Sequence, residues 1–560
     1  MKTKYLRSLL SGLVFAVFAQ NAFGQYFLKS YDFPPFGTRT DVGRSIEKSI
    51  GTLSSGWSIA GFSNSTPNAG GYDWMFLRLS SAGQVNCAAL LGFPHDDSCF
   101  SHIQLNEVTK KHVLAGFYRS VDMKEKASWS MVDTGCLHIM TKMISDPSRH
   151  QYRQVVTEPS NAFTNAGFIE HSMSGLAPNK ILVTKYSPAG LLLWGFKFIT
   201  PVPSTDEAYS ICFQPADGGY AVAGRTNFFT GPGGPYDVFV VRLNAGGFPI
   251  WNKVYRIPVP GSSSNAYRII TMPDGGYVII GWTNAFDVPA NDIWVFRISA
   301  LGFPLWSFVY GLPGVDEKGY SIVYNAASNS LTLTGYTSVS ANQDILTGNL
   351  NAATGASNWF RKYTNPSGND RGYDIEEAVG PSGYGVTGQV LAPISASLDP
   401  FLMRTDASGK VTPGCLDSLM LLPRPVQFVI DSLYFNDMHV QDMQVQPGVV
   451  NPHPQIRNLC VITTVTGSEN TVPDKFALKQ NYPNPFNPST KIDFSLPVDG
   501  VVSIKVFNVT GKEVVNLVNE FKKKGNYSIG FDASALSSGV YYYMLSTNEF
   551  TETKKMMLIK

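Results

Sequence analysis

The stretch AYRIITMPDGGYVIIGWTNAFDVPANDIWVFRISALGFPLWSFVYG, residues 266–311, holds four apolar runs. AYRIITM (266–272), GYVIIGW (276–282), DIWVFRI (292–298) and LWSFVYG (305–311) are rich in β-branched and aromatic residues and read as four strands. The second and third are nearly continuous runs rather than alternations, which predicts a sheet covered on both faces.

The unit recurs. GGYAVAGR (218–225), SLTLTGY (330–336) and SGYGVTGQ (382–389) each close an apolar strand with a Gly, as GGYVIIGW (275–282) does. Followed along the chain, that Gly is Gly61, Gly116, Gly167, Gly224, Gly281, Gly335 and Gly388, at spacings of 55, 51, 57, 57, 54 and 53 residues. Self-similarity at this period predicts a repeat architecture. About 15 residues upstream stands a Tyr or a substitute: Arg44, Phe100, Tyr152, Tyr209, Tyr267, Tyr320 and Tyr373. Downstream, an Asp opens the third strand and is followed in phase by a basic residue, a Gly and a Trp. The set is complete in Asp237, Arg242, Gly247, Trp251 and in Asp292, Arg297, Gly302, Trp306. The first and seventh units (Asp73, Arg78, Gly83; Asp399, Arg404, Gly409) lack the Trp, the third (Lys185, Gly190, Trp194) lacks the Asp, and the sixth (Asp344, Gly355, Trp359) lacks the Arg. The second diverges most, with an insertion around 121–135.

Four antiparallel strands per unit fit the blade of a propeller better than the coil of a solenoid. The expectation is an all-β chain with a seven-bladed β-propeller over residues 25–414. The repeat resembles the Gly-Gly-Tyr-x-x-x-Gly propeller repeats of exported proteins from gliding and polysaccharide-degrading Gram-negative bacteria; this implies a fold and a cell-surface setting, and brings no activity with it. In the seventh unit KVTPGC follows Gly409 where an aromatic fourth strand belongs, whereas QYFLKSYDF (25–33) is similar to NWFRKYTN (358–365), the fourth strand of unit six. The ring is therefore expected to close by pairing the N-terminal segment with residues 399–405.

Lys2, Lys4 and Arg7 precede a short apolar run, and Ala22 and Gly24 sit at the small-residue positions before Gln25, so residues 1–24 read as a secretory signal peptide. No later stretch has the roughly 20 apolar residues of a membrane-spanning helix. Removing the signal takes 44 Lys plus Arg to 41 against 42 Asp plus Glu, a balance of −1. Overall charge thus offers no case for nucleic acid or an anionic membrane as partner.

Residues 415–473 lose the period and read as a connector closed by a Cys415–Cys460 disulfide; Cys87 with Cys99 is a second candidate pair, and Cys212 is expected as a buried thiol. Residues 474–560 alternate as strands of a small immunoglobulin-like β-sandwich with turns at Asp499-Gly500 and Thr510-Gly511. The run Asn481, Tyr482, Pro483, Asn484, Pro485, Phe486, Asn487, Pro488, the turn and strand at Leu536, Gly539 and Tyr541, and a basic C-terminal end resemble a type IX secretion (Por) sorting domain of type A. That resemblance implies recognition by the outer-membrane export machinery and a final place in the medium or at the cell surface.

Chemistry is harder to find. Six of the eight histidines (His95, His102, His112, His138, His150, His171) fall in the second and third units, but without metal-ligand spacing. The repeated Asp and Arg of the third strand read as turn and ion-pair residues, since a catalytic pair is needed only once, and the phased Trp residues read as blade packing. Asp96-Asp97, Asp206-Glu207 and Asp316-Glu317 precede the first strand in three units and read as solvated acidic loops, with calcium or glycan binding as the sharper alternative. No catalytic residue, metal ligand or cofactor motif is assigned. The expected role is a non-enzymatic binding module with a glycan or envelope-protein ligand at a propeller rim; the alternative is an extracellular polysaccharide hydrolase or lyase built on the same scaffold.

Overall fold

The computed structural model describes residues 27–32, 40–49, 56–64, 71–92, 95–105, 110–119, 122–171, 178–286, 290–340, 342–364, 368–378, 383–391, 398–411, 417–419, 423–425, 429–431, 436–439, 442–445, 448–450, 455–458, 475–481, 484–522, 524–534, 536–547 and 550–559. Residues 1–24, Cys415, Cys460, Tyr482 and Pro483 lie outside them. Among the described residues every regular element is a β-strand, and the chain divides into two units, Met1–Ile462 and Thr463–Lys560.

In the first unit each of seven repeats folds as an antiparallel sheet of four strands, a to d. The stretch that opened the analysis forms Ser264–Thr271, Tyr277–Thr283, Asp292–Ile298 and Pro304–Tyr310. Each strand a packs beside strand a of the next repeat, and the seventh returns to the first, giving a propeller-like ring. Both faces of each sheet are apolar, as the continuous runs require. Tyr277, Ile279, Trp294 and Phe296 pack with Val238, Val240 and Tyr255 of the preceding repeat. Val278, Ile280, Ile293 and Val295 pack with Ile322 and Leu333 of the following one.

The ring closes as expected. Phe27–Asp32 pairs antiparallel with Leu398–Asp406, Phe27 opposite Arg404 and Ser30 opposite Phe401, and so serves as strand d of the seventh sheet. Tyr31 is buried and donates its hydroxyl to the carbonyl of Gly83, 3.0 Å away in the first repeat. Tyr255 makes the same bond to Gly302 (2.9 Å) and Tyr310 to Gly355 (2.5 Å), each reaching the next repeat.

The Gly and Trp of the repeat signature explain each other. The Gly lies in the c–d turn at positive φ, +85° at Gly247 and +77° at Gly302, where a side chain is strained. A Cβ at Gly247 would stand 2.9 Å from the Trp194 ring, and one at Gly302 3.0 Å from Trp251. The indole N–H of each Trp donates to the same turn of the next repeat, Trp194 to Ala245 at 3.2 Å, Trp251 to Ala300 at 3.1 Å and Trp306 to Ala352 at 3.2 Å. The phased Trp is thus a contact between repeats.

Between the first two repeats a disulfide takes that place. Cys87 stands opposite Arg78, the register that Trp251 holds opposite Arg242, and Cys136 occupies the positive-φ turn position at +64°. They are bonded, Cys87–Cys136, while Cys99 is a buried thiol, so the Cys87–Cys99 pairing is corrected. Cys99 lies in strand a of the second repeat, its sulfur toward the Ser101 carbonyl. Cys212 is the expected buried thiol. The cysteines have a sequence separation of 49, and closing this loop stabilises by about 4 kcal/mol on chain-entropy grounds. The double variant Cys87→Ser/Cys136→Ser should therefore melt well below the wild type in calorimetry, and reductant should lower the wild type's melting temperature more than the variant's.

The segment expected as a connector has a larger part. Asp417–Leu419, Pro423–Pro425, Val429–Asp431, Asn436–His439, Asp442–Val445, Gly448–Val450 and Gln455–Asn458 add antiparallel to strand d of the sixth, fifth, fourth, third, second, first and seventh sheets in that order. The segment is a belt that runs once around the ring against the direction of the repeats. Strand twist makes this pairing available. Each strand turns roughly 20–25° from its neighbour, so an outer edge built on strands that line the axis runs around the circumference. Successive belt strands begin six or seven residues apart in the sequence.

In the second unit, Ala477–Leu478, Ser489–Leu496 and Gly525–Asp532 form one sheet, and Glu513–Lys522, Gly500–Asn508, Gly539–Ser546 and Thr551–Leu558 another. They share a core that includes Phe486, Ile492, Phe494, Ile504, Val506, Tyr543 and Leu545. The proline-rich run is tied to the last strand. Met557 N donates to Asn484 Oδ1 (2.9 Å), Phe486 N to the Met557 carbonyl (3.0 Å) and Ile559 N to the Phe486 carbonyl (3.0 Å). Asn481 is buried; its N–H donates to Tyr543 Oη (2.7 Å) and its amide to Thr490 Oγ1 (3.0 Å).

Candidate functional site

The repeat Gly of strand b shapes the axis. In all seven repeats it lies opposite a bulge in strand a, between 43 and 45, 99 and 101, 152 and 154, 208 and 210, 266 and 268, 319 and 321, and 372 and 374. A Cβ on any of these glycines would come within 1.7–1.9 Å of a strand a carbonyl oxygen, so only Gly admits the bulge. The bulge turns one extra side chain to the axis: Arg44, Phe100, Arg153, Tyr209, Tyr267, Tyr320 and Tyr373. All seven line one pocket of about 330 Å³. In the third repeat the bulged, axial residue is Arg153, 14 residues before Gly167, whereas Tyr152 pairs with Gly167; Tyr152 is buried and its hydroxyl lies 2.7 Å from Thr184 Oγ1.

These side chains touch around the axis. Ring centroids are 5.6 Å apart for Tyr209 and Tyr267, 4.9 Å for Tyr267 and Tyr320, and 5.1 Å for Tyr320 and Tyr373. The Arg44 guanidinium lies over Tyr373 at 4.0 Å, and Arg153 over Phe100 at 4.3 Å and Tyr209 at 5.5 Å. Such contacts fix the planes of the guanidinium groups.

One residue deeper lies a polar layer: Ser45, Ser101, Gln154, Ser210, Arg268, Ser321 and Asp374. Most of it laces neighbouring repeats. His102 N donates to Ser45 Oγ (3.1 Å), Val155 N to Ser101 Oγ (3.3 Å), Ile211 N to Gln154 Oε1 (3.0 Å), Ile269 N to Ser210 Oγ (2.9 Å) and Ile46 N to Asp374 Oδ2 (3.0 Å). Arg268, which has no acceptor, interrupts the series. Deeper again are Glu47, Ile103, Val156, Cys212, Ile270, Val323 and Glu376, with carboxylates only in the adjacent first and seventh repeats. Glu47 lines a second cavity of about 160 Å³. Burial, with the charges of Glu376 and Asp374, pushes Glu47 well above the usual carboxylate range. Burial also raises Glu376, against the pull of Lys48 at 3.6 Å.

The other candidates are structural. Asp97, Asp206, Glu207 and Glu317 are buried, which corrects the expectation of solvated acidic loops. Asp206 pairs with Lys180 at 2.8 Å, both side chains fully enclosed, and Glu207 with Arg225 at 2.7 Å. Arg242 and Arg297 pair with Asp217 and Asp274 in their own a–b turns, at 2.5 and 2.6 Å. Among the described residues no His, Cys, Asp or Glu group is arranged to hold a metal ion. His102 is enclosed between Ser45 Oγ (3.0 Å) and Ser58 Oγ (2.8 Å), and His150 accepts from Ala127 N at 2.6 Å.

These buried groups set a pH profile. Burial raises Glu317 to about 8 and Asp237 to about 6, and lowers His102 to about 3, His150 to about 4 and His112 well below its ordinary value. The stability given by a raised carboxyl is whole below its unfolded pKa and is lost as pH climbs through the folded one. That given by a depressed histidine is whole above about 6.5 and is lost as pH falls. The melting temperature should therefore peak near about pH 6, with the alkaline decline levelling off past pH 8. Glu317→Gln should flatten the alkaline limb in a pH series of thermal melts and leave the acid limb in place.

Residues 480–560 match the family described as the secretion system C-terminal sorting domain. This marks the chain as cargo of type IX secretion, exported to the cell surface or the medium. No curated protein matches the chain. Among solved structures it is similar to PorZ, an essential bacterial surface component of the type-IX secretion system of Porphyromonas gingivalis, at 11% identity over 94% of this chain and 82% of that one, with a TM-score of 0.20. It is also similar to a GH43_12 protein from a capybara gut metagenome, at 9% identity over 95% of each chain, with a TM-score of 0.26. At such TM-scores neither likeness carries an argument about fold or activity.

Proposed function

We propose that this exported chain is a seven-bladed β-propeller over residues 25–414, a belt over 415–473 and an immunoglobulin-like type A sorting domain over 474–560, and that it acts as a non-enzymatic binding module. Residues 1–24 direct passage into the periplasm, and the motif around Asn481–Pro488 and Leu536–Tyr541 is read by the outer-membrane machinery. The ligand, a glycan or another envelope component, enters the axial pocket rather than a loop at the rim. The observation that supports this most is the composition of the pocket. Every repeat contributes one residue, and the result is a ring of aromatic faces and cations within the size range of small-ligand sites.

The second reading, a hydrolase or lyase, has Glu47 and Glu376 in its favour, since they are single-copy acids among repeat positions. Against it, Glu47 lines the smaller cavity, beyond the polar layer. Incubating the exported protein with a polysaccharide panel tests both. Binding without product release is expected. Products that disappear with Glu376→Gln would establish the hydrolytic reading instead.

A further inference from the structure

Cations in this propeller are generally matched. Lys180, Lys185, Arg225, Arg242 and Arg297 each meet a carboxylate within 3.0 Å. Four arginines line the axial pocket, Arg44, Arg153, Arg268 and Arg371, and among the described residues none of them forms an ion pair with a carboxylate. Arg371 Nε donates to Gln343 Oε1, whereas Arg44, Arg153 and Arg268 each have a buried Nε without a hydrogen-bond partner. The pocket's one carboxylate, Asp374, is already engaged by Ile46 N (3.0 Å), Ser321 Oγ (2.6 Å) and Ile375 N (3.1 Å). A guanidinium stays charged at every physiological pH, so four of them around one half-enclosed space repel one another until an anion enters.

The rest of the lining limits the kind of anion. It contains no aliphatic side chain: beside the arginines there are aromatic rings, serine hydroxyls, one amide and one carboxylate. A peptide would find no apolar pocket for its side chains. Aromatic faces suit the C–H face of a sugar, and hydroxyls and amides suit its oxygens. Resting on the reading of this pocket as the ligand site, we propose that it takes an acidic saccharide, whose carboxylate, sulfate or phosphate is held by Arg44, Arg153 and Arg268 while the tyrosine ring carries the sugar.

The test is calorimetry and thermal melting of the exported protein with galacturonate, a sugar sulfate and a sugar phosphate, their neutral parent sugars, inorganic sulfate and phosphate, and an acidic peptide. Acidic sugars should bind and raise the melting temperature, more than neutral parents or free anions do, and the three acidic arms identify the substituent. Arg153→Met should weaken acidic-sugar binding by on the order of tenfold or more, while the ligand-free variant still melts in one cooperative transition, because Arg153 forms no ion pair or Nε hydrogen bond that the fold depends on. Arg44→Met repeats the test at a second position should the first variant fold poorly. Equal binding of neutral sugars, or preference for the peptide, overturns the proposal. So does acidic-sugar binding that survives both arginine variants but is lost in Tyr320→Ala, a result that would keep the pocket as the site. Binding indifferent to all three variants would reject the pocket itself.

Discussion

A chain truncated after residue 473 should accumulate in the periplasm, with almost none reaching the medium or the outer surface. The match over residues 480–560 covers the two sheets of the second unit, and the motif is part of their fold. Asn481, Asn484 and Phe486 bind the backbone or core that the final strands build, so the truncation removes the whole recognised shape. The first unit loses none of its own strands, since the last belt strand ends at Asn458. Cell fractionation and immunoblotting of full-length and truncated protein read the outcome. A truncated chain exported in normal amount would refute the sorting assignment.

Removing residues 25–33 should be as damaging to the ring as the first deletion is to export. Among the described strands of the first unit, Phe27–Asp32 is the one paired on both sides by distant chain: Leu398–Asp406 on one edge and Gln455–Asn458 on the other. Its loss leaves the seventh sheet with three strands, detaches the end of the belt and uncovers the packing around Trp57, Met75, Leu77 and Leu402, to which Tyr31 belongs. Tyr31 alone accounts for about 1.5–3 kcal/mol of burial and about 1 kcal/mol for its hydrogen bond. An open ring also exposes two strand edges to other molecules. The deletion should give aggregated protein or a large fall in melting temperature. The point variant Tyr31→Phe should lose only the hydrogen bond and remain monomeric in size-exclusion chromatography. A deletion variant that melts like wild type would show that the ring does not depend on this closure.

The repeats and their closing strand were legible because each leaves a distinctive residue in phase: the Gly across from the bulge, the Trp over the next turn, and the aromatic fourth strand displaced to the N-terminus. The recurring position of the third repeat, counted back 15 residues from Gly167, is Tyr152, whereas the axial side chain is Arg153, because the distance from bulge to Gly varies with the length of the turn between strands a and b. The disulfide had a signal that went unused. Cys87 stands in the Trp phase of the first unit and Cys136 in the Gly phase of the second, so two apparent gaps in the pattern were one contact made by other means. The belt left almost no trace. It joins by backbone hydrogen bonds in runs of three or four residues, which need no alternation of apolar side chains, and as the outermost strand it tolerates Pro423 and Pro425. The arginines of the axis were invisible for a related reason: a lone Arg in a strand looks like any surface cation until the fold shows that it lines the axis without an ion pair.

The belt also determines how the molecule comes apart under load. With Cys415 and Cys460 reduced, tension applied through the chain beyond residue 460 acts first on Gln455–Asn458, then on Gly448–Val450 and so on back to Asp417–Leu419, whereas the expected Cys415–Cys460 bond would pass the load directly to residue 415. Each pairing is three or four residues long and is loaded only after the one before it has let go. This is peeling rather than shear, and a modest pull can strip the outer strands one at a time while the four-stranded sheets beneath stay whole. Tension on the N-terminal strand meets the opposite situation, because that strand is held on both edges and both pairings must yield together. The two ends of one chain therefore differ in mechanical strength, the weaker being the end that leads to the sorting domain.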